Sequence, residues 1–296
     1  MTKELLIEYI NNKNLSCLER PVVTVLNWLN VDYRYIFISS WTFSYNYMER
    51  YKGIQNVPEL RSLLKNSKRY TGVCFVFKKL NVNKRISKIC YEIEQGRPVI
   101  VYIDSFWCPW YPSYKKSHIH HYVLIIGINA EENYFICLDK HDLHKKVLLS
   151  FDDYLKGSGE IVLLSNKRIE KLRNNKVKTD CYKSLRPRII QKNIQKFSDH
   201  VMHNVNMTEY VKGYHDVKVT PLYTWLKGIA NDRLNFASSM EIFLDNSICS
   251  YYKNRLKEIS DSWQSIIILL IKVVIKKETE SVYKFIAKKI EQISEM

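Results

Sequence analysis

The sequence lacks the features that would anchor the chain in a membrane or hold it together by disulfides or zinc. Seven cysteines are scattered over 296 residues, and no two form a CxxC pair, so neither a disulfide framework nor a zinc ribbon is indicated. The most apolar run, Ile266–Ile275, contains Lys272 and at about ten residues is too short to span a bilayer. Residues 1–14 lack the apolar core of a signal peptide. We therefore expect free thiols in a reducing cytoplasm and no membrane partner.

Positive charge is in excess, and the excess is concentrated in one segment. Lys plus Arg number 46 against 30 Asp plus Glu, a formal net charge of +16. Residues 165–196 alone carry 11 basic and 2 acidic side chains. This basic segment has few aromatic residues and no recognised binding motif, so we expect no nucleic-acid partner. The alternatives for the segment are an ordinary solvated face and a docking site for an acidic protein.

The order of the predicted elements indicates an α+β fold followed by a helical part. Residues 1–30 are predicted to be helical on both sides of a break at 11–14, and strand-like runs cluster between residues 98 and 164. Helices first and an antiparallel sheet later are typical of the α+β class. Long helices are predicted from residue 222, the first capped by Asn231 or Asp232. We therefore predict an α+β domain over 1–165, a basic connector over 166–221 and a helical domain over 222–296.

Cys17 is the first candidate for chemistry. Ser16 and Glu19 have the spacing of a capping box, which would place Cys17 in the first turn of the following helix. A helix N-terminus stabilises negative charge, so a thiolate becomes accessible there near neutral pH. Pro21 removes an amide from this turn, so the regular helix is expected to begin nearer Arg20. The alternative is a small buried cysteine with no chemical role.

His121 and Asp139 are the candidates to assist a thiol nucleophile. Strand alternation places His118 and His120 on one face of a strand and His121 on the other, at the start of an apolar run. Asp139 ends the next strand-like run, where its carboxylate could accept a hydrogen bond from an imidazole. Cys17, His121 and Asp139 fit a nucleophile, its base and the residue that orients the base. A structural histidine and a turn aspartate are the alternatives.

A zinc site is another use for the histidine cluster. His118 and His120 form a His-x-His pair, which is a known zinc geometry on a strand, and Cys108, His141 and His144 lie nearby in the sequence. No second motif supplies ligands at a characteristic interval, and two lysines adjoin the pair. We therefore expect no metal and no intrinsic cofactor.

An aromatic loop precedes His121 in the sequence. Trp107, Trp110 and Tyr111 belong to it, and aromatic side chains commonly line small-molecule pockets. These three residues are predicted to wall a substrate cleft beside the candidate nucleophile. Packing between domains is the alternative.

These motifs together resemble the butirosin biosynthesis protein H family. The resemblance is carried by Ser16–Cys17 and the amphipathic helix after them, by Gly96–Asp104, by His121–Ile128 and by Asp139. That family is similar to papain-type cysteine peptidases but is associated with thiotemplated biosynthesis. The resemblance implies a papain-like catalytic domain over residues 1–165, in which an N-terminal helix packs on an antiparallel sheet, followed by the helical domain.

The resemblance also implies acyl transfer without hydrolysis. Cys17 would take an acyl group from the phosphopantetheine thioester of an acyl or peptidyl carrier protein, with His121 as base and later acid and Asp139 as its orienter. An amine, free or carrier-bound, would then release the acyl group as an amide, as in antibiotic biosynthesis. Phosphopantetheine would belong to the donor. Because carrier proteins are typically acidic, the basic segment 165–196 would dock that donor.

Two alternative functions stay open, and so does the identity of the side chain that would donate a hydrogen bond to the oxyanion. On the same residues, a cysteine peptidase or amidase would use water in place of the amine, and a non-catalytic protein would only hold a carrier protein or a metabolite. Papain-type enzymes usually supply an oxyanion donor from a Gln before the nucleophile. Asn11 stands at the usual six-residue spacing from Cys17, and its amide could donate the same bond over a shorter reach.

Overall fold

The chain divides into two compact units. The computed structural model describes residues 2–43, 45, 47, 48, 53, 54, 60–139, 142–168, 174–204, 216–276 and 280–296. One unit comprises Met1–Tyr33 and Leu60–Lys171, and the other comprises Arg34–Glu59 and Leu172–Met296. The predicted boundaries after residues 165 and 221 stay predictions. His141 and, within the predicted connector, residues 169–173 and 205–215 lie outside the described residues.

Strands and helices alternate over the first half of the chain, and helices follow one another over the second half. The strands are β1 (Thr2–Glu4), β2 (Tyr47–Met48), β3 (Gly53–Ile54), β4 (Val73–Lys78), β5 (Val99–Asp104), β6 (His120–Asn129), β7 (Tyr134–Asp139), β8 (Asp142–Ser150) and β9 (Ser158–Arg168). The α-helices are α1 (Glu19–Trp28), α2 (Leu60–Asn66), α3 (Val82–Glu94), α4 (Phe151–Gly157), α5 (Asn174–Ser184), α6 (Pro187–Asn204), α7 (Pro221–Met240), α8 (Asn246–Lys276) and α9 (Glu280–Glu295). Short 3-10 helices occupy Tyr33–Phe37, Ser105–Trp107 and Val217–Val219.

The first unit is built on an antiparallel sheet. Within the described part of the chain its strands lie in the order β4-β9-β5-β6-β7-β8, and β1 pairs with β6. Every one of these pairings is antiparallel. The side chains of β5, β6 and β7 on one face form the core of this unit, among them Val99, Val101, Val123, Ile125, Phe135 and Cys137. Strands of this composition, rich in β-branched residues, suit a sheet that is buried.

The first strand shows that the helix predicted before residue 11 was wrong. Thr2–Glu4 is extended and pairs with Gly127–Asn129 of β6. Because β5 pairs with β6 only as far as Ile125, the end of β6 remains available to another strand. Gly127 allows the close approach, since a Cβ atom there would lie 2.8 Å from the carbonyl oxygen of Lys3. A tertiary pairing thus overrides the local preference of this segment.

The helix after the break packs on the sheet as predicted. α1 contacts β6, and its side chains Val22, Val25 and Leu26 are buried, whereas Leu29 just after it is only partly buried. Each buried aliphatic side chain of this size contributes about 1.5–3 kcal/mol of burial free energy. The prediction of an α+β fold, with an N-terminal helix on an antiparallel sheet, is therefore confirmed.

The second unit is largely helical. Its core contains the buried side chains of Phe43, Phe197, Trp225, Trp263, Ile266 and Ile290. Helices α5 and α6 lie within the segment predicted as a connector. None of the helices within the described ranges combines the length and the apolar composition that crossing a membrane requires.

Helix α7 begins earlier than predicted. Thr220 caps it, and its Oγ1 accepts a hydrogen bond from the N–H of Tyr223 at 3.3 Å, with Pro221 in the first helical position. Asn231 and Asp232 lie inside the helix, so the prediction that one of them caps it was wrong. A Thr cap followed by Pro strongly favours the start of a helix. This signal precedes the weaker one at Asn231 and Asp232.

Candidate active site

Ser16 begins a hydrogen-bonded turn that leads into α1, and Cys17 lies in that turn. The Oγ atom of Ser16 accepts a hydrogen bond from the N–H of Glu19 at 3.1 Å, and Oε2 of Glu19 accepts one from the N–H of Ser16 at 2.8 Å. This reciprocal pair confirms the predicted capping box. The N–H of Arg20 also donates to the carbonyl oxygen of Ser16 at 3.1 Å, and the regular helix begins at Glu19. Cys17 therefore lies where the helix dipole favours an anion.

The sheet brings His121 and Asp139 together. Because β6 and β7 are antiparallel neighbours, the second residue of β6 lies beside the last residue of β7. The Nε2–H of His121 donates to Oδ2 of Asp139, and the two side chains are 1% and 0% exposed. His120 is exposed on the other face, as strand alternation predicts.

Cys17 completes this cluster. Cys17 lies close enough to His121 to raise the pKa of the imidazole, and because Nε2 of the ring is engaged with Asp139, Nδ1 is the nitrogen that can face the sulfur. Burial lowers the pKa of His121, but the charge and hydrogen bond of Asp139, together with Cys17, raise it to about 9. The imidazolium is therefore the favoured form near neutral pH.

Two of the three predicted cleft residues contact the cluster. The Nε1–H of Trp110 donates to Oδ2 of Asp139 at 3.0 Å, and the ring of Tyr111 lies 4.7 Å from that of His121, centre to centre. Burial raises the pKa of Tyr111, and the charges of Cys17 and Asp139 raise it further. The part of these residues in binding a substrate stays a prediction.

Trp107 lies elsewhere in the first unit. Its ring packs on Gly157 at the end of α4, where a Cβ atom would come within 2.8 Å of the indole. The ammonium of Lys115 lies 3.4 Å from the centre of the same indole. The structure therefore does not bring Trp107 into the cluster of Cys17, His121 and Asp139, and its role in a cleft also stays a prediction.

Two polar side chains that the sequence patterns did not indicate lie beside the cluster. Arg20 is one helical turn after Cys17 and is 4% exposed. The hydroxyl of Tyr9 is buried, and the pKa of Tyr9 is raised by burial first and then by Asp139. The signal that could have found Arg20 is its spacing, because residues three apart on a helix are neighbours on its surface.

The predicted oxyanion donor is on the surface. Asn11 is exposed, and its role stays a prediction. The following turn is well ordered by hydrogen bonds: Oδ1 of Asn12 accepts from the N–H of Asn14 at 2.9 Å, and its carbonyl oxygen accepts from the N–H of Leu15 at 3.1 Å.

The remaining cysteines and histidines of the first unit show no comparable arrangement within the described residues. Burial raises the pKa of Cys108 and of Cys137, and Asp139 raises both further, so these thiols stay protonated near neutral pH. His118 is exposed and pairs with Asp104 at 2.5 Å. Among the residues that the structure describes, no group of three or more His, Cys, Asp or Glu side chains could hold a metal ion.

Comparison with known proteins concerns the same segment. Residues 17–140 match the family model described as Butirosin biosynthesis protein H, N-terminal. The matched range begins at Cys17 and ends one residue after Asp139, so it contains the whole cluster. This segment is therefore similar to the N-terminal part of butirosin biosynthesis protein H. The resemblance suggested by the sequence motifs is thereby confirmed for this segment, and the cysteine-bearing helix lies on an antiparallel sheet, as the resemblance implied.

Solved structures and curated proteins add two findings about this chain. The crystal structure of a C39-like peptidase from Bacillus anthracis is similar at 14% sequence identity and a TM-score of 0.26. The match covers 36% of this chain and 59% of that one, so the chain spans less than two thirds of that peptidase. Among curated proteins, none matches the chain.

Proposed function

We propose that the protein is a cysteine-dependent acyltransferase that forms an amide bond in natural-product biosynthesis. It would move an acyl group from the phosphopantetheine thioester of a carrier protein to an amine. The observation that carries the proposal is that Cys17 lies beside the hydrogen-bonded pair of His121 and Asp139, within the segment that matches a biosynthetic family. Cys17 is a thiol rather than half of a disulfide, as this chemistry requires, as are the other six cysteines, and a reducing cytoplasm would keep them so.

In the first half of the reaction, Cys17 would become acylated. Its thiolate adds to the thioester carbonyl of the donor, and a new carbon–sulfur bond forms. The N–H of Cys17, at the start of α1, would donate to the oxygen that gains charge. The tetrahedral intermediate collapses by breaking the bond to the sulfur of the donor. His121 gives its Nδ1 proton to that sulfur and becomes neutral, so the donor leaves as a thiol.

In the second half, an amine would release the acyl group. Neutral His121 takes a proton from the amine as the carbon–nitrogen bond forms, and collapse of the second intermediate returns Cys17 as a thiolate. Asp139 holds the ring in one orientation and stabilises its cationic form in both halves. Trp110 and Tyr111 pack around Asp139 and His121, which supports the exclusion of water in favour of the amine.

A basic stripe on the second unit supports an acidic donor protein. Arg188, Lys192 and Lys196 recur every four residues along α6, so they share one side of the helix, and all three are exposed. Ile189, beside the stripe, is 52% exposed. Basic side chains around an exposed apolar one suit the docking of an acidic protein. Their charge accelerates the association of the two proteins, and the apolar contact stabilises the complex.

The products distinguish the proposed transferase from the two alternatives. With an acyl-thioester donor and an amine, we expect the amide as the major product and an acyl adduct on the enzyme when the amine is withheld. Mass spectrometry of the small-molecule products and of the intact protein measures both. Free acid as the major product in the presence of amine would identify a hydrolase. Unmodified enzyme and unchanged donor would identify a binding protein.

Reversing the basic stripe should weaken turnover of a carrier-bound donor alone. We expect Arg188→Glu with Lys192→Glu to reduce kcat/KM for the carrier-bound donor by about tenfold or more at low salt, because steering by charge is lost. Raising the ionic strength should reduce the wild-type rate in the same direction. Initial rates with a small acyl thioester serve as the reference, and the variant should leave them unchanged.

A matched pair of substitutions controls for net charge. Lys284 and Lys288 are exposed, four residues apart on α9, and replacing both by Glu changes the net charge by the same amount as reversing Arg188 and Lys192. We expect this control to retain most of the rate with the carrier-bound donor. Equal losses in both variants, or an equal salt response of the two donors, would remove the docking role from the stripe.

A further inference from the structure

A buried arginine lies beside the candidate nucleophile with most of its hydrogen-bonding capacity unused. The Nη2–H of Arg20 donates to the carbonyl oxygen of Asn12 at 2.7 Å. Its Nε and Nη1 atoms are buried and have no hydrogen-bond partner among the residues that the structure describes, and the same holds for the hydroxyl of Tyr9. The guanidinium carbon lies 5.9 Å from the centre of the Tyr9 ring. Burying a guanidinium without hydrogen-bond partners costs free energy of desolvation. We therefore expect nearby negative charge to offset this cost.

The net charge of Cys17, His121 and Asp139 can offset this cost. A thiolate at Cys17, an imidazolium at His121 and a carboxylate at Asp139 sum to one negative charge, and His121 and Asp139 are fully buried. A buried net charge is expensive unless a countercharge accompanies it. Arg20 supplies one positive charge, which makes the group of four neutral. Burial lowers the pKa of Arg20, and the charges of Tyr9, Asp139 and Cys17 oppose this by favouring the guanidinium form.

Arg20 also orders the turn that leads to the nucleophile. The carbonyl oxygen of Asn12 accepts from Arg20 and from the N–H of Leu15, and the side chain of Asn12 accepts from the N–H of Asn14. Arg20 belongs to the helix that follows Cys17, and its guanidinium contacts the backbone that precedes Cys17. The position of the sulfur and the charge around it depend on the same side chain.

We propose that Arg20 is a positioning residue that balances the combined charge of the Cys17 thiolate and the Asp139 carboxylate and fixes the turn at Asn12. The proposal deepens the proposed function, because it assigns the residue that keeps its nucleophile ionised. The other titratable groups around these charges are Tyr9, Glu19, Cys108, Tyr111, His121, Tyr122 and Cys137.

The pH dependence of alkylation tests the effect of Arg20 on Cys17. The rate of carbamidomethylation of Cys17 by iodoacetamide, followed by mass spectrometry of the Cys17 peptide, reports the thiolate. We expect Arg20→Met to move the midpoint of this rate to higher pH by about one unit, which is about a tenfold lower rate below the midpoint. Arg20→Lys keeps the charge and should restore most of the wild-type profile. An unchanged midpoint in Arg20→Met would overturn the proposal.

A double-mutant cycle separates charge balance from a purely structural role. Arg20→Met leaves one uncompensated negative charge, whereas Arg20→Met combined with Asp139→Asn leaves none. The fall in melting temperature caused by Arg20→Met should therefore shrink to about half or less in the Asp139→Asn background. Equal falls in both backgrounds would contradict the charge balance. If Arg20→Met does not fold, Arg20→Gln should show the same two effects.

Both measurements are independent of the acyl donor. Alkylation and melting require neither a carrier protein nor an amine, so they report on Arg20 whether or not the protein transfers acyl groups. A normal alkylation profile in the wild type with no acyl adduct from any thioester would refute the proposed function and leave the role of Arg20 standing. An acyl adduct that forms equally well in Arg20→Met, with an unshifted alkylation midpoint, would refute the role of Arg20 and leave the proposed function standing.

Discussion

Replacing Cys17 by alanine is expected to abolish the acyl adduct and to lower amide formation by about a thousandfold or more. The reason is that the sulfur atom is the only group of the cluster that can form the acyl-enzyme bond, while His121 and Asp139 merely move or stabilise a proton. The variant should fold, because Cys17 lies in a turn whose hydrogen bonds come from Ser16 and Glu19. Intact-protein mass spectrometry after incubation with an acyl thioester measures the adduct directly.

Cys90 offers a matched control for this substitution. It is a half-buried thiol of the same unit, and burial raises its pKa, so it should not compete as a nucleophile. We expect Cys90→Ala to form the adduct and the amide at a rate within about twofold of the wild type. An acyl adduct that persists in Cys17→Ala, or that disappears in Cys90→Ala, would contradict the assignment of the nucleophile.

Replacing Asp139 by asparagine should both slow the reaction and shift its pH dependence. We expect kcat to fall by about a hundredfold to ten-thousandfold, because the amide cannot stabilise the imidazolium of His121 as the carboxylate does. Asp139 raises the pKa of His121 to about 9, so its removal should move the alkaline limit of kcat/KM to lower pH. Rates measured across the pH range for both proteins give the shift.

The same pairing links stability to pH with a definite sign. The pKa of His121 is raised from 6.5 to about 9 in the folded protein. The stabilisation that this provides is therefore fully present below about pH 6.5 and is lost as the pH rises through about 9. Asp139→Asn should flatten this part of the stability profile.

A second His–Asp pair on the same sheet provides the control for Asp139. Asp104 at the end of β5 pairs with His118, whose side chain is 71% exposed, and exposed ion pairs contribute little. We expect Asp104→Asn to keep the wild-type pH profile and a rate within about twofold. A loss in Asp104→Asn as large as in Asp139→Asn would mean that the effect of Asp139 is structural rather than electrostatic.

The parts of the site that follow local rules could be predicted from the sequence. The capping box at Ser16 and Glu19 depends on two residues of fixed spacing, so the turn that holds Cys17 before α1 was predictable. Alternation along a strand separated buried His121 from exposed His120. The strands were predictable for the same reason, since runs of β-branched residues between turns carry a strong local signal.

The parts that depend on long-range contacts could not be predicted. Thr2–Glu4 is a strand because β6 offers it a partner more than a hundred residues away in the chain, and nothing in the local pattern shows this. Trp107 and Trp110 stand three residues apart in one aromatic loop, but only Trp110 contacts Asp139, since the direction of each ring is set by its tertiary neighbours. The role of Arg20 could not be predicted because it depends on burial beside Cys17 and Asp139, which the sequence pattern does not show.

The pairing of β1 with β6 ties the candidate nucleophile to the strand that bears its base. The segment between β1 and α1 is a loop whose first end is hydrogen-bonded to β6 and whose second end is a helix packed on β6. The sulfur and the imidazole therefore share a single rigid frame. Most of the conformational entropy of bringing these two groups together is lost when the chain folds, and little remains to be lost when a donor binds.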